Sequence, residues 1–128
     1  MANEPMIQNL VRMRGAVGAG AWLAPRFSGR LFGLDPNANP QAPYLGRLFG
    51  ARDVALAFGL STSSGSQRAN WLRIGVACDL ADAVAGVLAG RRGELPARAT
   101  VLVTATALAA AALGIVALQS AESPGQTS

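Results

Sequence analysis

From Ala99 to Leu118 the chain runs without a single charge and closes on Ala-Ala-Ala-Ala-Leu-Gly-Ile-Val-Ala-Leu. At a rise of about 1.5 Å per residue, a helix of that length covers about 30 Å, the depth of the hydrocarbon core of a bilayer. Pro96 and Arg98 mark its start, and Gln119 with the polar tail Ser120–Ser128 marks its end. A helix apolar on every side has to be enclosed by protein or by lipid.

Three further segments have helical length but carry charges. Met6–Ala24 holds Arg12 and Arg14; Tyr44–Ser61 holds Arg47, Arg52 and Asp53; Asn70–Gly90 holds Arg73, Asp79 and Asp82. In hydrocarbon each such charge costs roughly 2.5–3.5 kcal/mol on insertion scales, so it faces another charge or a wet cavity. A soluble bundle of four amphipathic helices would need charged outer faces, and the outer faces here carry Ala, Val, Leu and Gly. The expected fold is therefore all-α: a polytopic membrane bundle of four transmembrane helices at about 6–24, 44–61, 70–90 and 98–119, in one domain spanning 1–128. The bacterial plasma membrane is its expected place. The first helix, with arginines in its first half, is expected to begin at the interface before entering lipid. It is read as retained, because the apolar stretch between Arg14 and Ala19-Gly20-Ala21 falls short of the roughly 7–15 residues of a signal-peptide core.

Composition narrows the function classes. Hydrophobic residues make up 51% of the chain and charged residues 14%. All 11 basic residues are Arg, and there is no His, so the usual neutral-pH general base and the commonest metal ligand are missing. The lone Cys78 forms no internal disulfide or thiolate cluster and reads as an inert packing residue. Neither a metal nor a cofactor is expected. The net charge of +4 is scattered between apolar segments without the contiguous basic footprint of a nucleic-acid-binding face, so nucleic acid is not an expected partner.

Loops are expected at 25–43, where Asp35-Pro36-Asn37-Ala38-Asn39-Pro40 cannot be helical throughout, at the Ser/Gly-rich 62–67, and at 91–96. An even number of crossings puts both termini on one side. Arg26, Arg30, Arg91, Arg92 and Arg98 then oppose Arg12, Arg14, Arg68 and Arg73, which favours the first and third loops in the cytoplasm by one charge. The pentapeptide Gly-Arg-Leu-Phe-Gly occurs at 29–33 and again at 46–50. Both copies read as interfacial motifs and not as a structural repeat.

The charges themselves suggest a pairing. Counted outward from a turn at Gly65, antiparallel helices bring Arg52 level with Asp79 and Arg47 level with Asp82. Gly75, Asp79, Asp82 and Gly86 fall on one helical stripe, and Gly46, Gly50, Asp53 and Ala57 on another. The glycines of these stripes are expected to let the second and third helices approach closely. Asp53 points away from Arg52, with Arg14 as a candidate partner. Three readings of this network stay open. It locks weakly apolar helices into register; it docks another membrane protein or a second copy of the chain; or its acids bind a cation or relay protons. Enzymatic chemistry has little support, since Asp79 and Asp82 lie beside arginines with no nucleophile, His or phosphate loop.

The motifs Gly-Arg-Leu-Phe-Gly-Ala-Arg-Asp (46–53) and Ala-Cys-Asp-Leu-Ala-Asp-Ala (77–83) resemble a family of small four-helix integral membrane proteins of actinobacteria classed as a domain of unknown function. The resemblance extends from about Arg14 to Leu118. It implies a membrane fold and carries over no catalytic role. The expected function is a non-enzymatic accessory or scaffolding subunit of a membrane complex, with the lipid bilayer and a membrane-protein partner or second copy as its contacts. The alternative is cation or proton translocation.

Overall fold

A computed structural model of the chain describes residues 4–122, with side chains through residue 120. Those residues form five helices and no strand: α1 (Glu4–Leu23), α2 (Pro25–Leu31), α3 (Ala42–Thr62), α4 (Gly65–Arg91) and α5 (Ala97–Glu122). The all-α expectation holds. Four of these are the helices read from the sequence. The fifth, α2, occupies the start of the expected 25–43 loop. Pro25 at its first turn presets the helical backbone angle, and a following glycine ends it. Gly33, at φ +81°, donates to the Arg30 carbonyl while Leu34 donates to Gly29. The same closure recurs after α4, where Gly93, at φ +73°, donates to Gly90 and Glu94 donates to Ala89. Both are left-handed glycine caps that occupy otherwise orphaned carbonyls.

The turn expected across 62–67 is shorter than its composition suggests. Only Ser63 and Ser64 separate α3 from α4, and Gly65 begins α4 at φ +59°. Ser66 and Gln67, read as loop, are helical.

Packing is pairwise. α1 lies chiefly on α3, and α4 chiefly on α5, whereas α3 and α4 have little backbone contact although they adjoin in the chain. Small residues set these choices. A Cβ built on Gly18 would lie 2.7 Å from the Gly50 carbonyl oxygen, and one on Gly50 would lie 2.5 Å from that of Gly18. The α1 and α3 backbones therefore touch where neither has a side chain. In the other pair Gly90 faces Thr100, Gly86 faces Thr104 and Gly114 faces Val76, a constant antiparallel register along the crossing.

The two pairs join in layers. Nearest the Ser63–Ser64 turn, Ile7, Leu10, Leu60, Leu72 and Ala117 form a buried apolar cluster drawing on α1, α3, α4 and α5. Trp71 packs on this cluster, and its indole occupies the space that Gly59 leaves open. The charged residues form the next layer. At the far end the Gly33 turn rests against Arg98 and Ala99 of α5. By length and composition one described helix, over Ala97–Ser120, is long and apolar enough to cross a membrane.

Candidate functional site: an ionic layer between two helix pairs

The charged layer draws on α1, α3 and α4. Arg14 and Asp79 are both buried, at 5% and 4% exposure. The Arg14 guanidinium donates to both Asp79 carboxylate oxygens, Nη1 to Oδ1 at 3.0 Å and Nη2 to Oδ2 at 2.5 Å. Gly75, one turn before Asp79, makes room for this fork: a Cβ there would stand 2.9 Å from Arg14 Nη2. A second fork joins Arg52 to Asp82, at 2.9 and 2.5 Å. It is less enclosed, with about a third of each side chain exposed. The Arg52 guanidinium also lies 4.9 Å above the Phe49 ring, a cation–π contact one turn back on α3.

Asp53 sits between the forks. Its Oδ1 lies 3.7 Å from Arg14 and 3.5 Å from Arg52, and it is buried without a hydrogen-bond partner. Both guanidiniums are already held bidentately by the other two acids, so Asp53 receives their charge and little directed bonding. Three carboxylates thus face two guanidiniums. A cavity of about 10 Å³ between this layer and the apolar cluster is lined by Arg14, Leu56, Trp71 and Gly114 among others, about the room that one water needs.

The sequence named most of these residues and paired them differently. Asp79 is held by Arg14, not by Arg52, and Asp82 by Arg52, not by Arg47. Level counting works near the turn, where Gly59 and Trp71, each six positions from Gly65, do meet. Further out the long side chains decide. A helical side chain leans toward the N-terminus of its own helix, so Arg52 leans away from the turn while Asp82 leans back toward it. Together they bridge the offset that level counting excludes. Arg47 lies outside the layer: its Nε donates to the Trp22 carbonyl at 3.2 Å, satisfying one of the last four carbonyls of α1 at the negative end of that helix.

The glycines are also reassigned. The expectation was that Gly46, Gly50, Gly75 and Gly86 hold α3 against α4. Instead Gly50 meets α1, Gly46 faces Pro25 and Ala21, Gly75 accommodates Arg14, and Gly86 faces Thr104 of α5. The bulky groups between α3 and α4, namely Trp71 and the Arg52–Asp82 fork, prevent that pair from closing. The sequence reading gave no weight to Gly18, Gly59, Gly90 and Gly114. Their signal was present as small residues on apolar helices, but none is among the residues of the two stripes that carry Asp53, Asp79 and Asp82. Cys78 is half-buried and free.

Among the described residues, no group of three or more acid, Cys or His side chains has a geometry to hold a metal ion. No family model, no curated protein and no solved structure matches this chain.

Proposed function

We propose that α1, α3, α4 and α5 form a lipid-embedded bundle that serves as a non-enzymatic accessory or scaffolding subunit of a membrane complex. The observation that carries this reading is an inverted distribution of polarity. Among the described residues nineteen large apolar side chains are exposed, Leu23 at 79% and Phe58 at 69% among them, whereas five are buried: Ile7, Leu10, Leu56, Leu60 and Leu72. In the same molecule Arg14, Asp53 and Asp79 are turned inward. Water favours the opposite arrangement, and contiguous apolar surface on this scale marks contact with lipid or protein. The layered charges then satisfy one another where a bilayer would penalise them singly. Three of the four helices are less apolar than α5; their Arg14, Arg52, Asp53, Asp79 and Asp82 gather in the ionic layer, while Arg12 and Arg73 lie outside it.

The subunit role rests on the Arg52–Asp82 fork. It is one-third exposed between α3 and α4, midway along the bundle. In lipid that exposure is costly, and a partner helix laid over it removes the cost. Fractionation tests the first part: the protein should stay in the membrane pellet after alkaline carbonate washing, and release into the supernatant would refute lipid embedding. For the second part, the particle extracted in mild detergent should exceed the 13.0 kDa chain plus its micelle. The Arg52→Leu/Asp82→Leu double variant should reduce it to the single chain. A wild-type particle holding one chain alone would refute the subunit role.

One observation favours a second reading, proton or cation translocation. Asp53 is buried with its Oδ1 lacking a hydrogen bond, and Arg14, 3.7 Å from that oxygen, lines a cavity about the size of one water. Liposomes containing the protein should then show an ion flux that Asp53→Asn abolishes, and absence of flux would set this reading aside.

A further inference from the structure

On the outside of the α4/α5 crossing, at the end carrying the 91–96 turn, lies an open groove of about 420 Å³. Its floor is Gly90 and Thr100, where the helices approach closely, with Thr104 beside them, and its walls are Val87, Val101 and Leu108. Arg91 lines its mouth. Its volume falls within the roughly 300–1,000 Å³ of ligand sites, and its lining is almost wholly apolar.

The charges around the mouth are not neutralised. Arg91, Arg92 and Arg98 are exposed and form no ion pair or side-chain hydrogen bond among the described residues. Three guanidiniums within eight positions thus face a single acid, Glu94. The turn from α2 rests on Arg98 and Ala99, which brings the exposed Arg30 to the same end of the molecule. The occupant that this arrangement fits has a long apolar part and an anionic head at one end.

We propose that the α4/α5 groove binds an anionic phospholipid, with one acyl chain against Val87, Val101 and Leu108 and the head-group phosphate on Arg91. A guanidinium presents a fixed fork of donors to phosphate oxygens. An acyl chain fills the groove that the fold leaves open and gains close packing against its walls. Arg92 and Arg98 add long-range attraction for a negative head group without needing contact. The inference rests on lipid embedding, and its test separates the two.

The test is native mass spectrometry of the full chain in mild detergent, titrated with phosphatidylglycerol or with phosphatidylcholine of identical acyl chains. Phosphatidylglycerol should be retained at least about fivefold more tightly, the equivalent of about 1 kcal/mol for one basic residue at the phosphate. Arg91→Gln should remove about that factor for phosphatidylglycerol and leave phosphatidylcholine unchanged. Ala105→Trp, which fills the groove from an exposed position on α5, should weaken both lipids. Arg12→Gln, an exposed arginine elsewhere on α1, should change neither. Equal retention of the two lipids by wild type overturns the proposal, as does an Arg12→Gln loss equal to that of Arg91→Gln. A protein found in the soluble fraction refutes lipid embedding, and the groove proposal with it. A membrane-bound protein without the lipid preference refutes the groove proposal alone.

Discussion

Asp79→Asn is the sharpest probe of the ionic layer. The substitution keeps the shape of the side chain and removes its charge, leaving the Arg14 guanidinium buried. In the wild type that guanidinium and its carboxylate are 6% and 5% exposed and share two hydrogen bonds. Breaking such a pair on one side costs about 3–5 kcal/mol, because a charge is left without compensation. Asp53, 3.7 Å from Arg14, retains part of the attraction and places the loss at the low end, about 3 kcal/mol. Asp82→Asn removes an equally short fork, but Arg52 keeps Asp53 at 3.5 Å and the face of Phe49, so its cost should fall below that of Asp79→Asn. The assay is reversible unfolding in mixed dodecylmaltoside and sodium dodecyl sulfate micelles, followed by far-UV circular dichroism. The double variant Arg14→Met/Asp79→Leu completes a cycle: replacing both members with apolar side chains should restore most of what Asp79→Leu loses. Two results would refute the reasoning. One is an Asp82→Asn cost equal to or above that of Asp79→Asn. The other is a double variant as unstable as the sum of its single changes.

Three further outcomes follow from the contacts of α1 and α3. Gly50→Ala places a methyl 2.5 Å from the Gly18 carbonyl oxygen and should destabilise by about 1–3 kcal/mol in the same unfolding assay. Gly15→Ala meets nothing closer than 4.0 Å and should be neutral or stabilising by up to about 1 kcal/mol through helix propensity. Arg47→Gln removes only the exposed bond to the Trp22 carbonyl and should cost about 1 kcal/mol or less. A loss as large as that of Asp79→Asn would return Arg47 to the ionic layer.

The sequence revealed which residues are charged inside apolar helices, and from that the existence of a compensating layer. It did not reveal the partners. Pairing at one level requires only a rise per residue, whereas the observed forks depend on the lean of long side chains and on which helices touch. The helix contacts in turn depend on Gly18 and Gly50, and the sequence does not show which helix either glycine faces. A reading that searched for glycine beside charge set Gly75 against α3, whereas Arg14 of α1 fills its space. It then placed Gly50 on the wrong neighbour. α2 was hidden for a different reason. A single seven-residue helix held by a proline start and a glycine stop leaves no periodic apolar stripe to find.

Two tight pairs joined through one apolar and one ionic layer make a specific mechanical claim. Within each pair the backbones touch or nearly touch, and that contact owes nothing to the charges. Between pairs, the Ile7–Leu10–Leu60–Leu72–Ala117 cluster holds the end near Ser63, the forks hold the middle, and the Gly33 turn on Ala99 holds the far end. Asp79→Asn/Asp82→Asn should therefore loosen the pairs relative to each other without melting either. Spin labels on the exposed positions Tyr44 of α3 and Leu88 of α4, in a Cys78→Ser background, report the gap between pairs. Labels on Leu88 and Val101 report the spacing within one pair. The double variant should broaden and lengthen the first distance distribution and leave the second as it was. Broadening of both would mean that the charges hold the helices up and not merely together. Broadening of neither would mean that the apolar cluster and the Gly33 contact suffice, and that the ionic layer is free for a task other than joining the two pairs.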